Sequence, residues 1–110
     1  MSREALGHFE LIVLLAVLRV GDDAYGVPIA RELEATSGRD VLLGSVYAAL
    51  DRLEGKGLVS SRMGDPTPAR GGRAKRYFKV TAKGLREARE TQVTLMRLWS
   101  GLPELRGSRA

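Results

Sequence analysis

Between positions 6 and 20 the apolar residues of this chain fall on two stripes rather than one. Leu6, Phe9, Val13, Ala16 and Val20 follow a three-four spacing, while Leu11, Leu14, Leu15 and Leu18 form a second set. The segment therefore predicts a helix with two greasy faces, which needs two partners. Gly21-Asp22-Asp23 stops it. A second helix is expected from about Ala24 to Thr36, since Pro28 is tolerated in a first turn and Gly38 stands just past the end. Its inner side would be Ile29, Ala30 and Leu33.

After the apolar stretch Val41 to Leu43, a third helix is expected from Gly44 or Ser45 to Lys56, closing at Gly57. Val46, Ala49, Leu50 and Leu53 lie at i, i+3, i+4 and i+7 and turn inward. Ala48, Asp51, Arg52 and Gly55 are left outward, with Ser45 and Tyr47 on the flanks. Leu58 to Met63 and Lys75 to Thr81 predict two hairpin strands, the second alternating Phe78 and Val80 against Tyr77 and Lys79. Gly64 to Ala74 is the loop between them. Thr81 is placed to cap a fourth helix that runs to about Ser100, where Gly101 and Pro103 end it. Along that helix Leu85, Ala88, Gln92, Leu95, Trp99 and Leu102 make a narrow seam of the coiled-coil kind, which wants another helix.

The expected fold class is mainly α with a small β-hairpin. Three helices followed by a hairpin with a glycine-rich tip is the order of a winged helix-turn-helix, in which the third helix enters the major groove and the wing lies on the backbone or in the minor groove. Residues 1–81 would form this DNA-binding domain, with 58–81 as the wing. Residues 82–102 would form a C-terminal dimerisation helix, and 103–110 a tail expected to fray.

Charge sharpens the picture. The chain carries 18 Lys plus Arg against 13 Asp plus Glu, for a formal charge of +5. Met1 to Asp51 holds four basic residues against eight acidic ones, whereas Arg52 to Arg89 holds eleven against three. The positive block includes the turn-rich segment Gly64 to Arg73, where Arg70 and Arg73 flank a flexible tip followed at once by Lys75 and Arg76. Such a shape suits phosphate contact, although a basic block can also be a solvated surface. Composition excludes more than it adds. At 110 residues a single domain is expected, and 44% hydrophobic residues can build a core. The absence of cysteine removes disulfide frameworks, zinc fingers and thiolate metal sites. Leu11 to Leu18 is far short of the roughly 20 residues of a membrane span, and no cleavage site follows Arg3 and Glu4. A soluble, cytoplasmic protein with no membrane partner, metal or cofactor is the expectation.

Four segments are also recognisable: Leu6-Gly7-His8-Phe9-Glu10-Leu11, Ala24-Tyr25-Gly26-Val27, Ser45 to Glu54 with Gly57-Leu58-Val59 after it, and Arg76 to Gly84 closing the wing. No one of them is strong alone, but in this order they resemble the PadR-like family of transcriptional regulators, over about Leu6 to Gly101. The short C-terminus, one helix and not several, looks like the compact branch of that family. The resemblance implies a homodimeric DNA-binding regulator, usually a repressor, whose last helix packs on the first helix of its partner. Leu6, Phe9 and Val13 would then meet the seam.

Individual residues carry rival readings. Tyr47 is either a core-flanking aromatic or a DNA contact, and the family pattern matches it to the recognition-helix tyrosine. Ser45 can cap the third helix, bond a phosphate, or do both. The first turns of that helix hold no Arg or Lys, so readout there would lean on hydroxyls, a thymine-methyl contact at Ala48, and DNA shape. Asp51 either accepts from a cytosine amine or lies beyond the contact zone. Arg52 and Lys56, on the side that bears Ser45, are candidate phosphate contacts, as are Arg70, Arg73 and Lys75. Gly71 and Gly72 let backbone approach a groove. Tyr25 is a packing residue with its hydroxyl at the surface, and joins the candidate DNA face. Trp99 is a seam anchor. In some compact PadR-like repressors tryptophans of the last helices flank a pore for flat aromatic drugs, a role the resemblance extends to Trp99 with Gln92 as polar handle. A protein-interaction module on the same scaffold, without DNA binding, is the alternative function. An enzyme is the least supported reading, because the lone His8 and the missing cysteines leave no catalytic grouping.

Overall fold

In a computed structural model, residues 6–65 and 74–105 are described, and they form four α-helices and one hairpin. Helix α1 (His8–Val20) begins after Gly7, whose N–H donates to the Glu10 carboxylate three residues on, at 3.0 Å. Its two stripes do not stay separate: Leu14, which the spacing placed with the second, turns into the core beside Val13 and Ala16 of the first. Val13, Leu14, Ala16 and Val17 are buried, while Leu15 and Leu18 remain exposed. A 3-10 turn, Gly21–Asp23, leads to α2 (Gly26–Ser37), which Gly38 terminates at φ 73°. Ile29, Ala30 and Leu33 are its buried side.

Helix α3 (Leu43–Gly55) starts earlier than its sequence suggests. Leu42 is the extended residue before it, so Ser45 sits in the first turn and its N–H donates to the Leu42 carbonyl at 3.0 Å. Ser45 therefore does not cap the helix. The C-terminal end is closed by Gly57 at φ 77°, with Gly57 N–H donating to Glu54 O and Leu58 N–H to Leu53 O, both at 2.9 Å. This pair of bonds is the Schellman arrangement, which satisfies carbonyls a helix end would otherwise leave open. Val46, Ala49, Leu50 and Leu53 are fully buried, as their spacing predicts.

Strands β1 (Val59–Met63) and β2 (Arg76–Val80) pair antiparallel, with Val59 opposite Val80 and Ser61 opposite Phe78. Phe78 and Val80 turn into the core and Lys79 turns out. Phe78 N–H also donates to Ala24 O at 2.8 Å, tying the hairpin to the junction ahead of α2. Helix α4 (Ala82–Trp99) is capped by Thr81, whose hydroxyl accepts from Gly84 N–H at 3.0 Å and donates to Gly57 O at 2.7 Å. Beyond its first turns α4 leaves the domain, and every residue from Gln92 to Leu105 is exposed. No helix among the described residues is long and apolar enough to cross a membrane.

Candidate nucleic-acid interface

The start of α2, the start of α3 and the loop end of the hairpin border a cleft of about 420 Å³, lined among others by Tyr25, Tyr47, Met63 and Lys75. Three residues singled out on sequence grounds as DNA contacts are thus brought together, one from each element. Tyr25 meets Tyr77 of β2 edge-on with ring centroids 5.6 Å apart, and the Lys75 ammonium stands 4.5 Å from the Tyr25 ring centre. Such contacts hold a flexible lysine near one place while leaving its protons for a ligand. Tyr47 lies across Gly26, where a Cβ would come within 2.4 Å of its hydroxyl oxygen. Only glycine admits the ring in that position. Ser45 and Ala48 are exposed at the start of α3. Arg70, Gly71, Gly72 and Arg73 lie outside the described residues.

Two ion networks fix α3 to its surroundings. Arg76 at the base of β2 reaches across to α3, donating from Nη1 to Asp51 at 3.0 Å and from Nη2 to Glu54, with Nε 3.4 Å from the Ser61 hydroxyl. The Arg76 pKa is raised: its burial, which favours the neutral form, is outweighed by the bonds to Asp51 and Glu54. Glu54 is held below the usual carboxylate range, first by the Ser61 hydroxyl, against its burial, and then by Arg76. Asp51 accordingly faces the wing's arginine, a partner that neither sequence reading of it included.

The second network is centred on Glu10, which is only 6% exposed. Its Oε1 accepts from Gly7 N–H and from Lys56 Nζ at 2.7 Å, and its Oε2 accepts from Arg52 Nε at 2.7 Å. Burial pushes this carboxyl up, but the bonds from Lys56, Gly7 and Arg52, with the Lys56 charge, win and hold it at about 2. The expectation that Lys56 meets a phosphate is overturned for this arrangement, because its side chain is only 18% exposed and its ammonium turns inward to Glu10. Arg52 keeps an outward edge, at 53% exposure. The sequence reading missed Glu10 and Arg76 as organisers. The one local signal was a glutamate three residues after Gly7, where a side chain can reach back to a helix N-terminus.

Away from that cleft, the outer stripe of α1 and the seam of α4 border an apolar groove of about 450 Å³, lined among others by Leu11, Leu15, Leu18, Gln92, Leu95 and Trp99. Leu85 and Ala88 also line it, and Leu102 is exposed farther along. Val13 is corrected by the structure. It is fully buried within its own chain and has no surface to offer a second one. Leu6 and Phe9 are partly buried against the same core. Leu11, Leu15 and Leu18 are the α1 residues left facing the groove.

The family model for the transcriptional regulator PadR-like family matches residues 14–90, which span α1 to the middle of α4. The chain belongs to the PadR-like family. Among solved structures it is similar to a PadR family transcriptional regulator from Eggerthella lenta DSM 2243, at 28% identity and a TM-score of 0.68, covering 86% of this chain and 80% of that one. It is also similar to a PadR-like transcription factor from Bacteroides fragilis, at 26% identity and TM-score 0.66, covering 80% and 82%. A PadR-like regulator from Bacillus cereus strain ATCC 14579, at 22% identity and TM-score 0.60 over 86% and 93%, shares the fold. No match is found among curated proteins. As a PadR-like protein the chain is a non-enzymatic, DNA-binding transcription regulator with a winged-helix fold.

Proposed function

We propose that this PadR-like chain acts as a homodimeric repressor that reads an inverted-repeat operator. The observation that carries the reading is the meeting of Tyr25, Tyr47 and Lys75 beside the exposed first turn of α3. Hydroxyls and an ammonium at that junction suit a phosphate next to the groove that α3 enters, with Ser45 and Ala48 toward the bases. Arg70 and Arg73, with Gly71 and Gly72, would extend the grip along the wing. Two copies joined through α1 and α4 would set their α3 helices roughly 34 Å apart, one helical turn of DNA. The apolar groove supports that pairing, since an uncovered surface of Leu11, Leu15, Leu18 and Trp99 favours burial. A flat aromatic effector beside Trp99 and Gln92 belongs to the same reading, as does action in the cytoplasm beside the chromosome.

The test joins light scattering to DNA binding on sites selected from random sequence. A dimer is expected, and Lys75→Ala should weaken both selected and random DNA. Trp99 is the only tryptophan and is 58% exposed in a single chain, so its emission should shift to the red as dilution separates the subunits. A monomer at micromolar concentration that binds no DNA would replace this reading with the protein-interaction module.

A further inference from the structure

Glu10 poses a problem that the DNA-binding reading does not solve. A buried carboxylate beneath a surface meant for phosphates subtracts from its attraction, yet Glu10 is held ionised by three donors. Its two oxygens are used unequally. Oε1 takes both Gly7 N–H and Lys56 Nζ, so Arg52 is bound through Nε alone and the two-bond fork common to arginine and carboxylate is not made. Arg52 lies seven residues after Ser45 and four after Ala48, on the outward face of α3. With Nε held, the planar guanidinium is oriented as a whole, and its Nη groups have no other bond recorded among the described residues.

We infer that Glu10 is a positioning residue for DNA binding: it fixes Arg52 through Nε so that the outer edge of the guanidinium faces a backbone phosphate, and it keeps Lys56 out of that contact. This rests on the DNA-binding reading and deepens it. Ordering a long side chain before the ligand arrives removes a cost that binding would otherwise carry. The neighbouring lysine completes the pocket that holds the carboxylate. The α3 contact with phosphate is thus a single prepared cation on each protomer.

Charge and positioning predict opposite signs, which makes the inference testable in the full-length chain. The DNA affinity of wild type, Glu10→Gln, Arg52→Ala, the double variant and Lys56→Met is measured across a salt series, using a duplex that wild type selects. Arg52→Ala and Glu10→Gln should each weaken binding and lower the log–log salt slope by about 0.9 per lost contact. The ratio of affinities between 50 and 200 mM salt would then shrink by about threefold for each contact. Glu10→Gln should add nothing in the Arg52→Ala background, and Lys56→Met, which loses a donor to Glu10 but no phosphate contact, should lower the slope less than Arg52→Ala does. A merely structural role for Glu10 would weaken binding equally with or without Arg52. Tighter binding by Glu10→Gln at unchanged slope, an additive loss in the double variant, or a fall in slope for Lys56→Met as large as that for Arg52→Ala would overturn the inference. If circular dichroism finds Glu10→Gln unfolded, the two α3 variants decide: an unchanged slope for Arg52→Ala, or one lowered as far by Lys56→Met as by Arg52→Ala, rejects it. Wild type that binds no DNA would instead remove the reading beneath it.

Discussion

Gly84→Ala should destabilise the protein, against the usual sign of that substitution in a helix. In an open helical site the change to alanine stabilises by about 0.5–1 kcal/mol, because glycine loses more backbone freedom on folding. At position 84 a Cβ would lie 2.1 Å from the Leu58 carbonyl oxygen and 2.8 Å from Val80 Cγ1. An unstrained carbon–oxygen contact needs roughly 3.3 Å, so the first turn of α4 must withdraw by about 1 Å. That movement loosens the Thr81 hydroxyl on Gly57 O at 2.7 Å and the Lys83 ammonium on Lys56 O at 3.0 Å. Overpacking of this kind costs about 1–3 kcal/mol, and a weakened hydrogen bond about 1 kcal/mol more, so a net loss of about 1–3 kcal/mol is expected. Gly44→Ala in the first turn of α3 is the internal control, since nothing lies within 4 Å of the added carbon. It should be neutral or stabilising. Urea unfolding at one fixed protein concentration measures both, as a shift in midpoint at constant slope. Equal midpoints for the two variants would refute the close approach of α4 to the end of α3.

Gly26→Ala should separate folding from recognition. The crowded atoms belong to the far end of the Tyr47 side chain, which can swing away at a stability cost below about 1 kcal/mol, while DNA affinity measured by anisotropy falls. Unchanged affinity would remove Tyr47 from the contact. Stability should also fall with acid: the Glu10 carboxyl sits at about 2 against an ordinary 4.5, so its contribution is complete above the unfolded value and is lost as pH drops from 4.5 through 2. The whole effect is on the order of 3 kcal/mol, and the same acid sensitivity in Glu10→Gln would assign it elsewhere. Arg76→Met leaves Asp51 without that partner and removes the ion pairs between β2 and α3, leaving the Ser61 bond to Glu54. Amide hydrogen exchange in β2 should quicken, and protection equal to wild type would show that the arginine is not what holds the wing.

Where one period decided, the fold was legible in the sequence. Val46, Ala49, Leu50 and Leu53 could face only one way, Phe78 and Val80 alternate with charged or surface-seeking neighbours, and Thr81 has a short polar oxygen at the point where a helix needs one. The two stripes of α1 were both visible, but apolarity does not say which stripe faces its own domain, so Val13 was assigned to the wrong surface. The third-helix start was misjudged because Ser45 is a good cap in isolation, whereas the chain already turns helical at Leu43, with Leu42 as the extended residue before it. Lys56 was misread for a different reason. Its partner Glu10 is 46 residues away, and an ion pair closed by the tertiary fold leaves no local trace. The Tyr25, Tyr47 and Lys75 cleft was legible residue by residue, but not as one place.

Pairing of Lys56 and Arg76 with carboxylates of their own chain bears on how strongly this molecule sticks to polyanions in general. A sequence pI of about 10.1 suggests broad adhesion to any acidic polymer. That value already counts Glu10, Asp51 and Glu54, but folding sets each of them directly against Lys56 or Arg76, so these two cations are screened at close range and contribute less to the field a polyanion meets. Retention on heparin should accordingly be weaker than for an unfolded chain of identical composition, and discrimination among nucleic acids correspondingly sharper.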